Sequence, residues 1–190
     1  MINSSMGRIF DASNLKELQE AIAADEKGWK PLVFTNGCFD LLHAGHVRYL
    51  QAAKSLGRSL VVGLNSDRSV QTIKPQERGQ PPRPILPQQQ RAEVLTALKA
   101  VDIAIIFNET TAISLINQLK PDIYVKGGDY TIETLPEAPT VLGYGGKISL
   151  IQVELPTSTT AIINRILQVK DLGRSEEHTS ELQSLLIRSY

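Results

Sequence analysis

One cysteine among 190 residues leaves nothing for an internal disulfide, so the fold must stand on packing and hydrogen bonds alone. A lone thiol also fits a reducing compartment. Charge of one sign is equally lacking: 20 Lys and Arg face 20 Asp and Glu, for a formal net charge of zero. That removes the general electrostatic footprint expected of a nucleic-acid or anionic-membrane binder. Long apolar runs are absent too. The longest, residues 60–64 and 103–107, are strand-sized, far short of the roughly 20 residues of a membrane helix. Residues 1–10 show no basic region followed by an apolar core, so no leader is expected and the chain reads as cytoplasmic. The single thiol, Cys38, has no catalytic-cysteine signature around it and reads as a small filler in a tight loop.

The last stretch stands apart. From Arg174 the sequence runs Arg-Ser-Glu-Glu-His-Thr-Ser-Glu-Leu-Gln-Ser and drops the preceding helical pattern. It looks like a sequencing-library adapter translated in frame, so residues 174–190 are expected to be a non-native tail. Of the three histidines, only His43 and His46 then remain.

What is present is alternation. Residues 14–24 carry apolar positions at helical spacing, and Gly28 and Pro31 break the pattern, so 1–30 reads as an N-terminal helical extension. From 31 to 173, strand-sized apolar runs at 32–34, 59–64, 101–107, 123–125 and 147–153 alternate with helical patterns at 44–56, 88–98, 112–119 and 159–169. Residues 74–87 hold five prolines and read as a long irregular loop, a flap over a site. The expected architecture is a single Rossmann-like domain: a doubly wound, parallel, five-stranded α/β sheet covered on both faces. Such sheets bind ligands at the carboxyl ends of their strands. The polar and glycine-rich signals fall there, at 35–46, 65–68 and 126–130.

His43-Ala44-Gly45-His46 sits where a loop becomes a helix. A helix N-terminus offers unpaired N–H groups and partial positive charge to phosphate. Gly45 lacks the Cβ that would hold a phosphate away. Two imidazoles three residues apart project from adjacent turns and can stabilise charge developing on phosphate oxygens. A metal pair is disfavoured, because no carboxylate or cysteine completes a zinc-like set at the usual spacing. No resident metal is therefore expected.

The run from Phe34 through Thr35-Asn36-Gly37-Cys38-Phe39-Asp40-Leu41-Leu42 to His43-Ala44-Gly45-His46 resembles the signature of the cytidylyltransferase-like nucleotidyltransferases. Asn65-Ser66-Asp67, Gln90-Arg91, Val101-Asp102 and Ser158-Thr159-Thr160 extend the likeness over residues 30–170. Val125-Lys126-Gly127-Gly128-Asp129-Tyr130 resembles the branch that adenylylates heptose 1-phosphate for envelope sugars. The resemblance implies direct in-line transfer of AMP from ATP to a sugar 1-phosphate, with Mg²⁺ on the triphosphate and no covalent intermediate. It implies small-molecule substrates, no nucleic acid, no membrane, and a homodimer. Relatives in this branch carry a sugar-kinase domain ahead of the transferase; this sequence has no room for one, so phosphorylation is expected to fall to separate proteins.

By that resemblance His43 and His46 bind triphosphate and stabilise the transition state, and Arg91 grips phosphate; a solvated helix face is the plain alternative for Arg91. Thr35, Asn36, Gly37, Phe39 and Gly45 form the nucleotide loop. Asp40 either contacts ligand or orients the histidines. Lys126, Gly127 and Asp129 recognise nucleotide or sugar. Ser158, Thr159 and Thr160 bind phosphate or merely cap a helix. Asn65, Asp67 and Lys74 are substrate candidates, with Lys74 equally readable as an exposed loop lysine. An arginine and glycine precede the last string in CTP-specific members; Pro156 and Thr157 stand here instead and speak against CTP. Two rivals stay in view: a cytidylyltransferase for glycerol 3-phosphate or a phospho-amino-alcohol, and a non-catalytic nucleotide-binding module.

Overall fold

The computed structural model describes residues 8–12, 15–128, 130–152 and 157–169. The chain divides into two compact units, Met1–Leu155 and Pro156–Tyr190.

The first unit is a single six-stranded parallel sheet with helices on both faces, as the apolar alternation requires. In chain order its elements are β1 (Ile9–Asp11), α1 (Lys16–Ala24), α2 (Glu26–Trp29), β2 (Leu32–Gly37), α3 (Ala44–Lys54), β3 (Ser59–Asn65), α4 (Asp67–Ile73) and α5 (Gln88–Ala97). There follow β4 (Ile103–Phe107), α6 (Ile113–Leu119), β5 (Ile123–Gly127), a 3₁₀ turn (Ile132–Thr134), α7 (Ala138–Gly143) and β6 (Lys147–Ile151). In the second unit a helix, α8, spans 159–169.

Successive strand residues point to opposite faces, and the core divides accordingly. Phe34, Val61 and Ile105 pack with Leu18 of α1, Leu115 and Ile116 of α6 and Val141 of α7. Val33, Leu60, Val62 and Ala104 pack on the other side with Leu50 and Ala53 of α3 and Ala92 and Leu95 of α5. Each such Leu or Val, wholly withdrawn from water, contributes about 1.5–3 kcal/mol.

The expected sheet had five strands; the sixth is β1. Ile9, Phe10 and Asp11 pair in parallel with Ala104, Ile105 and Ile106 of β4. The described residues before β2 are thus more than a helical extension: β1 extends the sheet, and Leu15, Leu18 and Trp29 are buried in the main core.

The strand order, β1-β4-β3-β2-β5-β6, locates the site. From β2 the chain steps outward to β3 and β4, then returns to the other side of β2 for β5 and β6. The winding reverses between β2 and β5, and a crevice at such a switch point is the binding position of open α/β sheets. Pairing of these strands ends at Thr35↔Val125, although β2 continues to Gly37 and β5 to Gly127. The two strands part at their carboxyl ends, over the residues singled out for ligand.

Candidate active site

His43 is the N-cap of α3, in extended backbone (φ −141°, ψ 172°), and its carbonyl accepts from Val47 N at 3.2 Å. Its side chain caps nothing, so the imidazole is spared for another role. The His43 and His46 rings lie close and tilted, 3.9 Å between centroids and 34° between planes. Neither Nδ1 has a hydrogen-bond partner, although both are buried. Burial, then the charges of His43 and Lys74, pull the His46 pKa down to about 4; burial also lowers His43. Two neutral imidazoles at van der Waals distance, with uncommitted nitrogens, suit an anion that brings its own charge.

Phe39 holds this arrangement. It takes a positive φ of 41°, rare for a residue with a Cβ, and its ring packs on His46 at 5.5 Å. A Cβ on Gly37 would stand 3.1 Å from that ring, so the glycine makes room for the turn. Phe39 is buried; it shapes the loop from beneath. Gly45 lies in the first turn of α3, where backbone N–H groups have no intrahelical acceptor.

Between β2 and β5, Asn36 Oδ1 accepts from Tyr124 OH at 2.8 Å and from Lys126 Nζ at 3.1 Å. With its oxygen doubly engaged, the amide presents its NH₂ away from β5. Lys126 also lies over the Tyr130 ring at 5.5 Å. Burial lowers its pKa, opposed by the charges of Glu137 and Cys38. Gly127 is needed for packing: a Cβ there would stand 2.8 Å from the Tyr49 ring. Asp129 lies outside the described residues, as do 174–190.

Several residues expected at the ligand make hydrogen bonds within the scaffold. Thr35 is buried, with Oγ1 2.7 Å from Tyr49 OH, which donates to Val125 O at 3.2 Å and so laces β2 to α3 and β5. Asp40 is 2% exposed and does not cap α3. It accepts from Arg83 Nε at 2.5 Å, Ile85 N at 2.8 Å and Leu86 N at 3.2 Å, fastening the proline-rich flap. Asn65 donates to Ser69 Oγ at 2.9 Å and is buried.

Arg91 differs most from its expected role. It is 1% exposed, and its guanidinium donates to Leu86 O (2.9 Å), Cys38 O (2.5 Å) and Asp67 Oδ1 (2.8 Å). A group enclosed by three protein acceptors braces flap, first loop and α4, and at 1% exposure it is not a solvated helix face. Asp67 serves the same brace, its N–H donating to Gln88 Oε1 at 2.9 Å. Lys74, at the C-terminus of α4, is exposed and close enough for its charge to act on His46 and Cys38. Burial holds the Cys38 thiol above its ordinary pKa, in keeping with a filler.

Ser158 belongs to the second unit. Its Oγ accepts from Ala161 N at 3.1 Å, a helix cap for α8, the helix that Thr159 and Thr160 begin. The sequence reading missed Tyr49, Arg83, Tyr124 and Glu137. No motif surrounds them; their roles come from contacts 14 to 88 residues distant.

Among the described residues no three His, Cys, Asp or Glu gather to hold a metal, and no helix is long and apolar enough to cross a membrane. Bifunctional protein HldE of Syntrophotalea carbinolica is 47% identical over 158 residues, covering 83% of this chain and 31% of that protein. Its counterpart in Geobacter sulfurreducens is 46% identical over 155 residues, 82% of this chain and 31% of the other. The chain thus spans about a third of these relatives. Among solved structures, the lipopolysaccharide core biosynthesis protein of Thermoplasma volcanium matches with a TM-score of 0.52 at 28% identity, over 66% of this chain and 97% of that one. Pantoate-beta-alanine ligase of Francisella tularensis matches with a TM-score of 0.53 at 15% identity, over 78% and 69%, a likeness of fold alone. The profile of the cytidylyltransferase-like family covers residues 34–188, from the last core residue before the Asn-Gly loop onward. With the paired imidazoles at the switch point of a parallel sheet, that match makes this chain a nucleotidyltransferase of the cytidylyltransferase-like family.

Proposed function

We propose that the chain transfers AMP from ATP to a heptose 1-phosphate, releasing pyrophosphate and ADP-heptose for envelope sugar synthesis. An oxygen of the sugar phosphate attacks the α-phosphorus in line; that O–P bond forms as the bond to the β-phosphate oxygen breaks. The observation that supports the reading is the close His43–His46 pair at the N-terminus of α3, in a fold whose sheet reverses its winding between β2 and β5, the strands that carry Asn36 and Lys126. Imidazole N–H groups can donate to the α-phosphate oxygens as charge builds there, while the Lys126 ammonium and the Asn36 amide hold the polyanion. No nucleophilic side chain is required, which agrees with a Cys38 thiol kept protonated by burial.

The substrate is the magnesium complex of ATP, whose triphosphate supplies the cation's ligands; this suits a site with no acidic cluster among its described residues. The choice of ATP and heptose rests on the resemblance of residues 125–130 to that branch and on relatives named HldE.

The test is pyrophosphate release with Mg²⁺, each nucleoside triphosphate, and heptose 1-phosphate, glycerol 3-phosphate or a phospho-amino-alcohol. Turnover confined to ATP with heptose 1-phosphate is expected. Dependence on CTP would replace this reading with the cytidylyl one, and binding without turnover would replace it with a non-catalytic module.

A further inference from the structure

Arg83 lies near the end of the proline-rich segment 74–87. Lys74 and Arg78, the other cations of that segment, are exposed, whereas the Arg83 side chain is only 12% exposed. A cation so far withdrawn from water needs compensation, and Asp40 supplies it: Arg83 Nε donates to Asp40 Oδ2 at 2.5 Å. The pair is joined by one bond. Asp40 Oδ1, which a parallel two-bond pair would use, accepts from Ile85 N and Leu86 N instead. A guanidinium carries five N–H donors, so four are left over, all on the two Nη atoms. Neither Nη has a partner among the described residues, and neither is buried without one, so both open to solvent.

Arg91 shows the contrast. Its Nε, Nη1 and Nη2 all donate to protein, and it is 1% exposed. Both guanidinium groups bind the loop after β2, Arg91 at Cys38 O and Arg83 at Asp40. Asp40 stands three residues before His43, a chain length of no more than about 11 Å. Arg83 is therefore anchored on the loop that leads from the carboxyl end of β2 into the His43–His46 pair. A staple for the segment would be complete with the Ile85 and Leu86 amides and one N–H of Arg83; it leaves the Nη edge unexplained. An arginine fixed through Nε, with a planar two-pronged edge open to water, is the form that takes a phosphate bidentately with little further ordering.

We infer that Arg83 is a phosphate-gripping arginine: Asp40 holds its Nε, and its Nη edge binds the triphosphate of the nucleotide whose α-phosphate lies at His43 and His46. The inference rests on the adenylyl-transfer reading for the place of that α-phosphate.

The test is binding of adenosine, AMP, ADP and α,β-methylene-ATP, with Mg²⁺, to the unsubstituted chain and to Arg83→Gln. The loss of affinity is expected to grow with the phosphate chain. It should stay within about twofold for adenosine and reach at least about tenfold for the analogue, the scale of hydrogen bonds to a charged group. A loosened segment alone would weaken all four ligands alike. The second readout is direct. In the unsubstituted chain the ¹⁵N signals of the Arg83 Nη groups, assigned with Arg83→Lys, should shift when the analogue binds and stay in place with adenosine. Equal losses across the series, or Nη signals that do not respond to the analogue, overturn the inference. If Arg83→Gln does not fold, the Nη response of the unsubstituted chain decides alone. None of these readouts needs turnover. A protein that binds the analogue through Arg83 and transfers nothing would sink the proposed function and leave this inference standing; α,β-methylene-CTP takes the analogue's place if CTP proves to be the substrate.

Discussion

Asp40 and Arg83 are joined by a 2.5 Å hydrogen bond across 43 residues, with the Asp40 side chain 1% exposed and that of Arg83 12%. The same carboxylate takes the Ile85 and Leu86 amides. One acid from the loop after β2 therefore fixes the end of the proline-rich segment, which in turn supplies Leu86 O to Arg91.

Asp40→Asn follows directly. The amide keeps one acceptor oxygen and loses the charge that matches Arg83. Breaking a buried, hydrogen-bonded pair costs about 3 kcal/mol, which urea unfolding should register. Limited proteolysis should gain a cut within residues 74–87. A variant with unchanged stability and an uncut loop would mean that Asp40 does not hold the flap.

Arg91→Lys separates a brace from a phosphate ligand. Lysine cannot reproduce a planar fork that serves three acceptors in different directions. The expected result is a loss of about 3 kcal/mol in unfolding free energy, with kcat within about tenfold of normal when assayed well below the melting temperature, since 10²–10³ is the scale of losing a transition-state donor. An unaltered melting temperature with a collapsed kcat would return Arg91 to the ligand.

The Asn-Gly turn, the His-x-x-His spacing and the strand–helix alternation were legible because each is a local pattern with a local physical cause. The order of strands followed from none of them, and neither did the roles of Thr35, Asp40, Asn65 and Arg91. Those side chains are polar, sit in a recognisable motif, and look from sequence as though they face ligand. Their protein partners, 14 to 44 residues away along the chain, are not visible in any local pattern. β1 was missed because three residues are too few for a period, and its pairing is with β4, far along the chain. α4 was missed because Ser69 and Val70 are its only buried residues. α7 was hidden by Pro139 and by the glycines at 143, 145 and 146, which punctuate the sequence like a loop. Glu137 reads as an ordinary loop acid until the buried environment around it is seen.

Gly127→Ala probes the packing under the crevice. The new methyl would stand 2.8 Å from the Tyr49 ring, which must shift and give up its 2.7 Å bond with Thr35. Overpacking of this kind costs about 1–3 kcal/mol. Thermal unfolding should show it, with a weaker affinity for ATP because β5 is displaced. A melting temperature equal to that of the unsubstituted chain would show that Tyr49 has room to move.

The imidazole pair makes the sharpest prediction, because the pH behaviour of His46 is set by desolvation and then by the charges of His43 and Lys74. In the ligand-free protein, ¹⁵N imidazole shifts of His46 should titrate with a midpoint near pH 4, against about 6.5 for an unperturbed histidine. Lys74→Ala should raise that midpoint, since the Lys74 charge is one of its causes. A bound triphosphate should raise it further by favouring the imidazolium. The sign for stability is fixed by the same shift. Between about pH 4 and 6.5 the unfolded chain binds the proton and the folded one does not, so stability rises with pH through that window, is complete above it, and falls as the medium is acidified. Urea unfolding at pH 5 and pH 7 should show this difference, and His46→Ala should abolish its share of it. The same substitution should lower kcat by ~10²-fold, the scale of one preorganised oxyanion donor. A His46 that titrates near 6.5 would mean that the rings are solvated and apart, and the argument for a neutral, charge-accepting pair would fail with it.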